Sequence, residues 1–176
     1  MTATSPSEPP GESQSMTERS RTVTWTDPAE LAAAVRELSG PELFAKLIAG
    51  ELPMPTIGKT VGFRLVEAGD GRAVFEGEWG EHLLNPAGGL HGGWYGLVLD
   101  SAMGCAVHSA LPAGTGYTTL EYKVNITRAV TEKTGKLRIE GWVVHQGRRT
   151  ATAEARVVDA AGKVYAHGSE TCLILG

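Results

Sequence analysis

The chain has 176 residues, 41% of them hydrophobic, with a formal net charge of −4. That length buries one ordinary core, and acidic and basic residues are interspersed without the basic stripe a nucleic-acid partner would need. No apolar run reaches the roughly 18 uninterrupted residues of a membrane-spanning helix, and no basic-then-apolar signal pattern opens the chain. The expectation is therefore a cytoplasmic protein without a membrane or nucleic-acid partner.

Residues 1–27 are rich in Ser, Thr, Pro and Glu, too polar to offset the entropy of ordering, and are predicted to be a flexible tail. Residues 28–58 are predicted to be a helical extension. Asp27-Pro28 is an N-cap followed by proline at the first helical position, opening a helix over Ala29–Leu38. Gly40-Pro41 stops it, a second short helix follows over Pro41–Gly50, and Leu52-Pro53-Met54-Pro55 is extended because each proline restricts its predecessor. The main domain is expected over 59–176.

From Lys59 the period changes to two: Val61, Phe63 and Leu65 alternate with Gly62, Arg64 and Val66, and Gly69-Asp70-Gly71 turns the chain into a partner strand over Ala73–Trp79. The stretch Trp94–Leu111 is apolar on every side, as a helix in the middle of a fold would be. Beyond the breaker loop Pro112–Gly116, Leu120, Tyr122, Val124 and Ile126 alternate with Glu121, Lys123 and Asn125 as a half-buried strand. Strands are predicted over Lys136–His145, Arg149–Val158 and Val164–Leu175. Ala151, Ala153, Ala155 and Val157 share one face, whose small side chains suit packing against the central helix. The fold class is α+β: one long buried helix against a strongly twisted antiparallel sheet of about 5–6 strands.

The chemistry concentrates between Asn85 and Asp100. Between Glu81 and Glu121, Asp100 is the single residue carrying a formal charge, and a lone carboxylate in an apolar helix is either paired or functional. A structural partner such as Arg128 is one reading; a general base or nucleophile is the other. Gly92 and Gly93 fall where the helix begins, so a carbonyl against the Gly92 N–H would be polarised by backbone alone; equally, the glycines are just a turn. Asn85 either supplies an amide donor or opens the turn, and His91 is a backbone-bonded structural residue or a base. Ser101 has no neighbouring base. His82, His91, His108, His145 and His167 lack ligand spacing, so no metal is expected. Cys105 and Cys172 read as two reduced core thiols. The glycine cluster is neither a phosphate-binding loop nor a dinucleotide fingerprint.

Asn85-x-x-Gly88-x-x-His91-Gly92-Gly93, with a carboxylate nine positions after the histidine, resembles the hotdog-fold acyl-CoA thioesterases, most closely the phenylacetic-acid-degradation (PaaI-like) type. The likeness runs from about Val61 to Ile174 and includes Val124-Asn125-Ile126-Thr127-Arg128 and His145-Gln146-Gly147-Arg148. The resemblance implies a hydrolase that cleaves an acyl-CoA to free acid and CoA, coenzyme A being part of the substrate and no cofactor being needed. It implies a homodimer that assembles the site at its interface, stacked as a dimer of dimers into a homotetramer. Gly92 would donate to the thioester carbonyl, Asp100 of the partner subunit would be nucleophile or general base, and Asn85 would lie near the thioester or the attacking water. His91 would support the loop. Gly93 and Ser101 would line the substrate, and Arg128, Arg148 and Arg149 would meet the CoA phosphates. Four residues beyond the acid, where relatives often carry a hydroxyl that holds water, this chain has Gly104. A non-catalytic acyl-CoA or fatty-acid binding module is the alternative on the same fold, and a dehydratase ranks behind it.

Overall fold

The computed structural model describes residues 17–176. Three helices precede the sheet: α1 (Pro28–Glu37), α2 (Gly40–Ala49) and α3 (Thr56–Val61). Asp27 caps α1, its carboxylate accepting from the Ala29 N–H at 2.9 Å, as the Asp-Pro signal predicts. Ser39 and Glu42 form a capping box on α2, and Gly50 ends it in the left-handed conformation. The strand expected from Lys59 starts only at Phe63, because Thr56–Val61 closes a helical turn that Gly62 terminates at φ 77°. Six residues with two β-branched threonines and a glycine carry no helical signal of their own. Residues 1–16 of the expected flexible tail lie outside the described residues. The part that is described, 17–27, has no regular structure but is tied down: Arg21 donates to the Lys59 and Thr60 carbonyls at 3.0 Å each, at the C-terminal end of α3, and Arg19 pairs with Glu81.

Strands β1 (Phe63–Gly69) and β2 (Arg72–Gly77) form a hairpin whose two turn residues, Asp70 and Gly71, both have positive φ (49° and 74°). That is the turn whose twist suits a two-residue hairpin. The central helix α4 (Gly92–His108) follows, and then β3 (Gly116–Ile126), β4 (Leu137–Gln146), β5 (Thr150–Val158) and β6 (Val164–Leu175). All six strands pair antiparallel in the order β1-β2-β4-β5-β6-β3, which leaves β1 and β3 as edges.

Helix α4 touches every strand, and the sequence explains how it lies so close. Ala73, Gly141, Ala155 and Gly168 pair in register across four adjacent strands and are all buried. This row of missing side chains is a groove in which the helix backbone rests: a Cβ on Gly141 would collide with the Ala102 carbonyl. On β5 the expected face of Ala151, Ala153, Ala155 and Val157 is fully buried. Helix α2 adds Leu43, Phe44 and Leu47 to the same core, with Phe44 edge-on to His108 near the end of α4.

Candidate active site

Gly92, Gly96, Asp100 and Gly104 are four residues apart and share one face of α4. Edge strand β3 runs along that face. A Cβ on Gly92 would lie 3.6 Å from Ile126, one on Gly96 would lie 3.2 Å from the Tyr122 hydroxyl, and one on Gly104 would lie 2.5 Å from the Tyr117 hydroxyl. The helix glycines therefore make room for the side chains of β3, and at the remaining position of the stripe a carboxylate stands in place of a glycine. There the Thr119 hydroxyl sits 3.2 Å from Asp100 Oδ1. Thr119 thus reaches the carboxylate from the sheet, while Tyr117 fills the space over Gly104. Ser101 Oγ donates to the Leu97 carbonyl at 2.9 Å.

Asp100 is half-buried and forms no salt bridge among the described residues. Arg128, the partner considered for it, lies in the loop beyond β3 with an exposed side chain; its carbonyl and the Val130 N–H are held by the Tyr95 hydroxyl. Desolvation raises the Asp100 carboxyl above the usual range, and the hydrogen bond from Thr119 partly offsets this. Asp100 and Ser101 line a cavity of about 630 Å³ that extends between the sheet and the N-terminal helices. Its walls include Phe44, Leu47, Met54, Phe63, Leu65 and Phe75, with Lys59, Arg64, Glu76 and Lys136 also lining it. Arg64 and Lys136 both pair with Glu76. Cys105 borders the cavity too, but burial pushes its thiol up to about 12, so it is not a nucleophile at neutral pH.

Behind Thr119 stands a group that no pattern in the sequence singles out. Glu170 on β6 is 2% exposed, and its Oε1 lies 3.0 Å from Thr119 Oγ1 and 2.9 Å from Cys172 Sγ. Burial first, and then the charge of Asp100 among its neighbours, push Glu170 up to about 7.

The loop before α4 is built by its own side chains. Asn85 Oδ1 accepts from the Ala87 N–H (2.9 Å) and the Gly89 N–H (3.2 Å), which fixes the amide orientation and leaves Nδ2 as a donor without a partner among the described residues. Gly88 takes φ 78° in this turn. His91 is the N-cap of α4: its Nδ1 accepts from the Gly93 N–H at 2.9 Å, while its carbonyl accepts from the Trp94 N–H at 3.0 Å. The Gly92 N–H, at the first helical position, has no partner among the described residues. Asn85, His91, Gly92 and Gly93 thus cluster at one end of the helix, with Arg128 two residues past the Ile126 that faces Gly92. Asp100 and Ser101 lie about two turns, roughly 12 Å, further along. Arg148 and Arg149 are elsewhere, lining a separate cavity with Thr115 and Leu173–Gly176. Among the described residues no cluster of His, Cys, Asp and Glu could hold a metal, no helix could span a membrane, and both cysteines are free.

The family model of the thioesterase superfamily matches residues 87–166, a stretch that begins just inside the Asn85 loop and takes in all of α4. A conserved protein of Pseudomonas aeruginosa is 34% identical, with 69% of this chain and 95% of that one covered and a TM-score of 0.65. A phenylacetic acid degradation-related protein of Ralstonia eutropha is 26% identical (74% and 98% covered, TM-score 0.66). PaaI from the phenylacetic acid degradation operon of Escherichia coli, at 22% identity, shares the fold (69% and 86% covered, TM-score 0.63). No curated protein sequence matches. A long helix laid on a six-stranded antiparallel sheet is the hotdog architecture, and the chain belongs to the thioesterase superfamily, with PaaI and PaaI-like proteins among its structural neighbours.

Proposed function

We propose that the protein hydrolyses an acyl-CoA thioester, with Asp100 as the reacting carboxylate and the Gly92 N–H as the oxyanion donor. The observation that carries the proposal is Asp100 itself: a carboxylate paired with no cation among the described residues, supported by the Thr119 hydroxyl, on the wall of a largely apolar cavity. A purely structural acid would have a partner; a binding site for an apolar chain would need no acid.

The thioester carbonyl oxygen would lie on Gly92, where the helix N-terminus and the unpaired N–H favour the negative charge that develops. Asp100 would take a proton from water as the water oxygen attacks the carbonyl carbon. Collapse of the tetrahedral adduct would break the C–S bond, and the departing CoA thiolate would recover the proton. Direct attack by Asp100, giving an anhydride that water then opens, uses the same geometry. The Asn85 amide, with Nδ2 free, would orient the thioester or the water. His91 would hold the loop by fixing Gly93. Gly93 and Ser101 flank the two reacting positions, and of the three arginines considered for the CoA phosphates Arg128 is favoured by its place beside the Gly92 end.

Gly92 and Asp100 of one chain are too far apart to act on one carbonyl, which supports a homodimer in which each chain completes the other's site. Edge strand β3 suits that contact: it is 11 residues long and carries exposed Leu120, Tyr122 and Ile126. Dimers would pair further into a tetramer. The acyl group would enter the 630 Å³ cavity, whose Phe, Leu and Met walls fit an aliphatic or aryl chain, with α2 and α3 of the N-terminal extension forming part of the wall.

The test is turnover of a panel of acyl-CoAs followed with a thiol reagent. Hydrolysis is expected, with Asp100→Asn folded and inactive. Ligand-induced thermal stabilisation without any turnover would instead favour a non-catalytic acyl-CoA or fatty-acid binding module.

A further inference from the structure

Thr119 Oγ1 lies between two carboxyl groups, 3.2 Å from Asp100 Oδ1 and 3.0 Å from Glu170 Oε1. A hydroxyl has one proton, so it donates to one of them only. Were both carboxylates ionised, the second contact would set a lone pair against a negative oxygen. One of the two acids must carry a proton, and the surroundings decide which. Glu170 is 2% exposed; its Oε2 is buried without a hydrogen-bond partner, and no Lys, Arg or His pairs with it among the described residues. The groups that face it are Asp100 and Cys105 from α4, Tyr117, Thr119 and Glu121 from β3, and Cys172 from its own strand. None is a cation. Asp100 is less buried and borders the open cavity. An ionised group with an orphaned oxygen is expensive in such a place, whereas a neutral acid is tolerated.

We infer that Glu170 is a neutral acid whose proton is donated to Thr119, which turns the Thr119 hydroxyl proton onto Asp100, making Glu170 a positioning residue for the reacting carboxylate. The hydrogen-bond chain runs in one direction: Glu170 O–H to Thr119 Oγ1, and Thr119 O–H to Asp100 Oδ1. Asp100 is thereby held ionised and oriented, with Oδ2 left for water or substrate. When Glu170 loses its proton, Thr119 swings its own proton to the new carboxylate and presents lone pairs to Asp100. The support then becomes a repulsion. Since Glu170 is pushed up to about 7, this reversal falls near neutral pH.

The catalytic part of this inference rests on the reading of Asp100 as the reacting group; the protonation state does not, so the two are measured separately. Infrared difference spectra of wild type against Glu170→Gln at about pH 6 should contain the carbonyl band of a protonated carboxylic acid. The band should shift in deuterium oxide and disappear as pH rises to about 9. A wild-type spectrum without that band, or a band that Glu170→Gln leaves in place, overturns the inference whether or not any thioester is hydrolysed. In the kinetic arm, Glu170→Gln keeps a permanent N–H donor toward Thr119. It should retain kcat within about threefold at pH 6 and lose the alkaline fall of the wild-type profile, whereas Glu170→Leu, checked for folding by circular dichroism, should lose about tenfold or more at every pH. An alkaline limb unchanged in Glu170→Gln refutes the directional role.

Discussion

At Asp100 the requirements of stability and of the proposed chemistry oppose each other, and the opposition is measurable. Desolvation raises this carboxyl above its ordinary value, so the folded state binds the proton more tightly than the unfolded chain does. The stability this represents is fully present below the unfolded value, near 4, and is lost as pH rises through the folded value. Ionised Asp100 at neutral pH is thus a local liability. Asn at this position accepts from Thr119 in the same way but has no charge to desolvate. Asp100→Asn should therefore melt a few degrees higher than wild type at pH 7–8, with the gap closing toward pH 4. Calorimetry across that range checks the sign; a variant less stable than wild type at pH 8 would contradict it. The sequence made Asp100 conspicuous because no other formal charge occurs between Glu81 and Glu121. Glu170 had no such contrast: it sits between Ser169 and Thr171 in a strand of mixed polarity, and its burial depends on which strands flank it.

The elements differ in how far they could be read, for reasons that lie in their periods. Helix α4 was legible as the apolar run, and β5 through its alanine face. The helix-facing side of β3 was hidden by one irregularity. Tyr122 and Ile126 face α4 at even positions, but the β-bulge between Thr119 and Glu121 shifts the register, so Tyr117 and Thr119 face the same helix at odd ones. An alternation read back from Ile126 therefore points Thr119 away from Asp100, and its contact with the carboxylate goes unnoticed. The N-terminus of α4 allows a test that isolates the backbone from the side chains. Proline is tolerated at the first helical position, and the residue before it must be extended, which His91 already is at φ −61° and ψ 134°. A Cβ at Gly92 would meet only Ile126, at an ordinary 3.6 Å. Gly92→Pro should accordingly preserve the helix by circular dichroism while removing the proposed oxyanion donor, lowering kcat by about 100- to 1,000-fold. Undiminished turnover would show that the donor is another group.

Across the whole molecule, the proposed division of labour between Gly92 and Asp100 turns the assembly into a prediction of its own. The α+β architecture could be anticipated from one charge-poor helix and several short alternating segments, but no single chain can reveal which edge of the sheet a second copy takes. The separation of roughly 12 Å along one rigid helix supplies the missing constraint: if both groups act on one carbonyl, they come from different chains, related by a twofold axis beside β3. Asp100→Asn keeps an intact Gly92, and Gly92→Pro keeps an intact Asp100. A mixed dimer of the two then contains one site with both functional groups and one site with neither. Mixing the two inactive homodimers, with subunit exchange allowed to reach its statistical distribution, should make half of the dimers mixed and restore about a quarter of wild-type activity. Light scattering should find dimers or their multiples throughout. Were each site built within one chain, the mixture would stay as inactive as its parents, because every chain in it lacks one of the two groups.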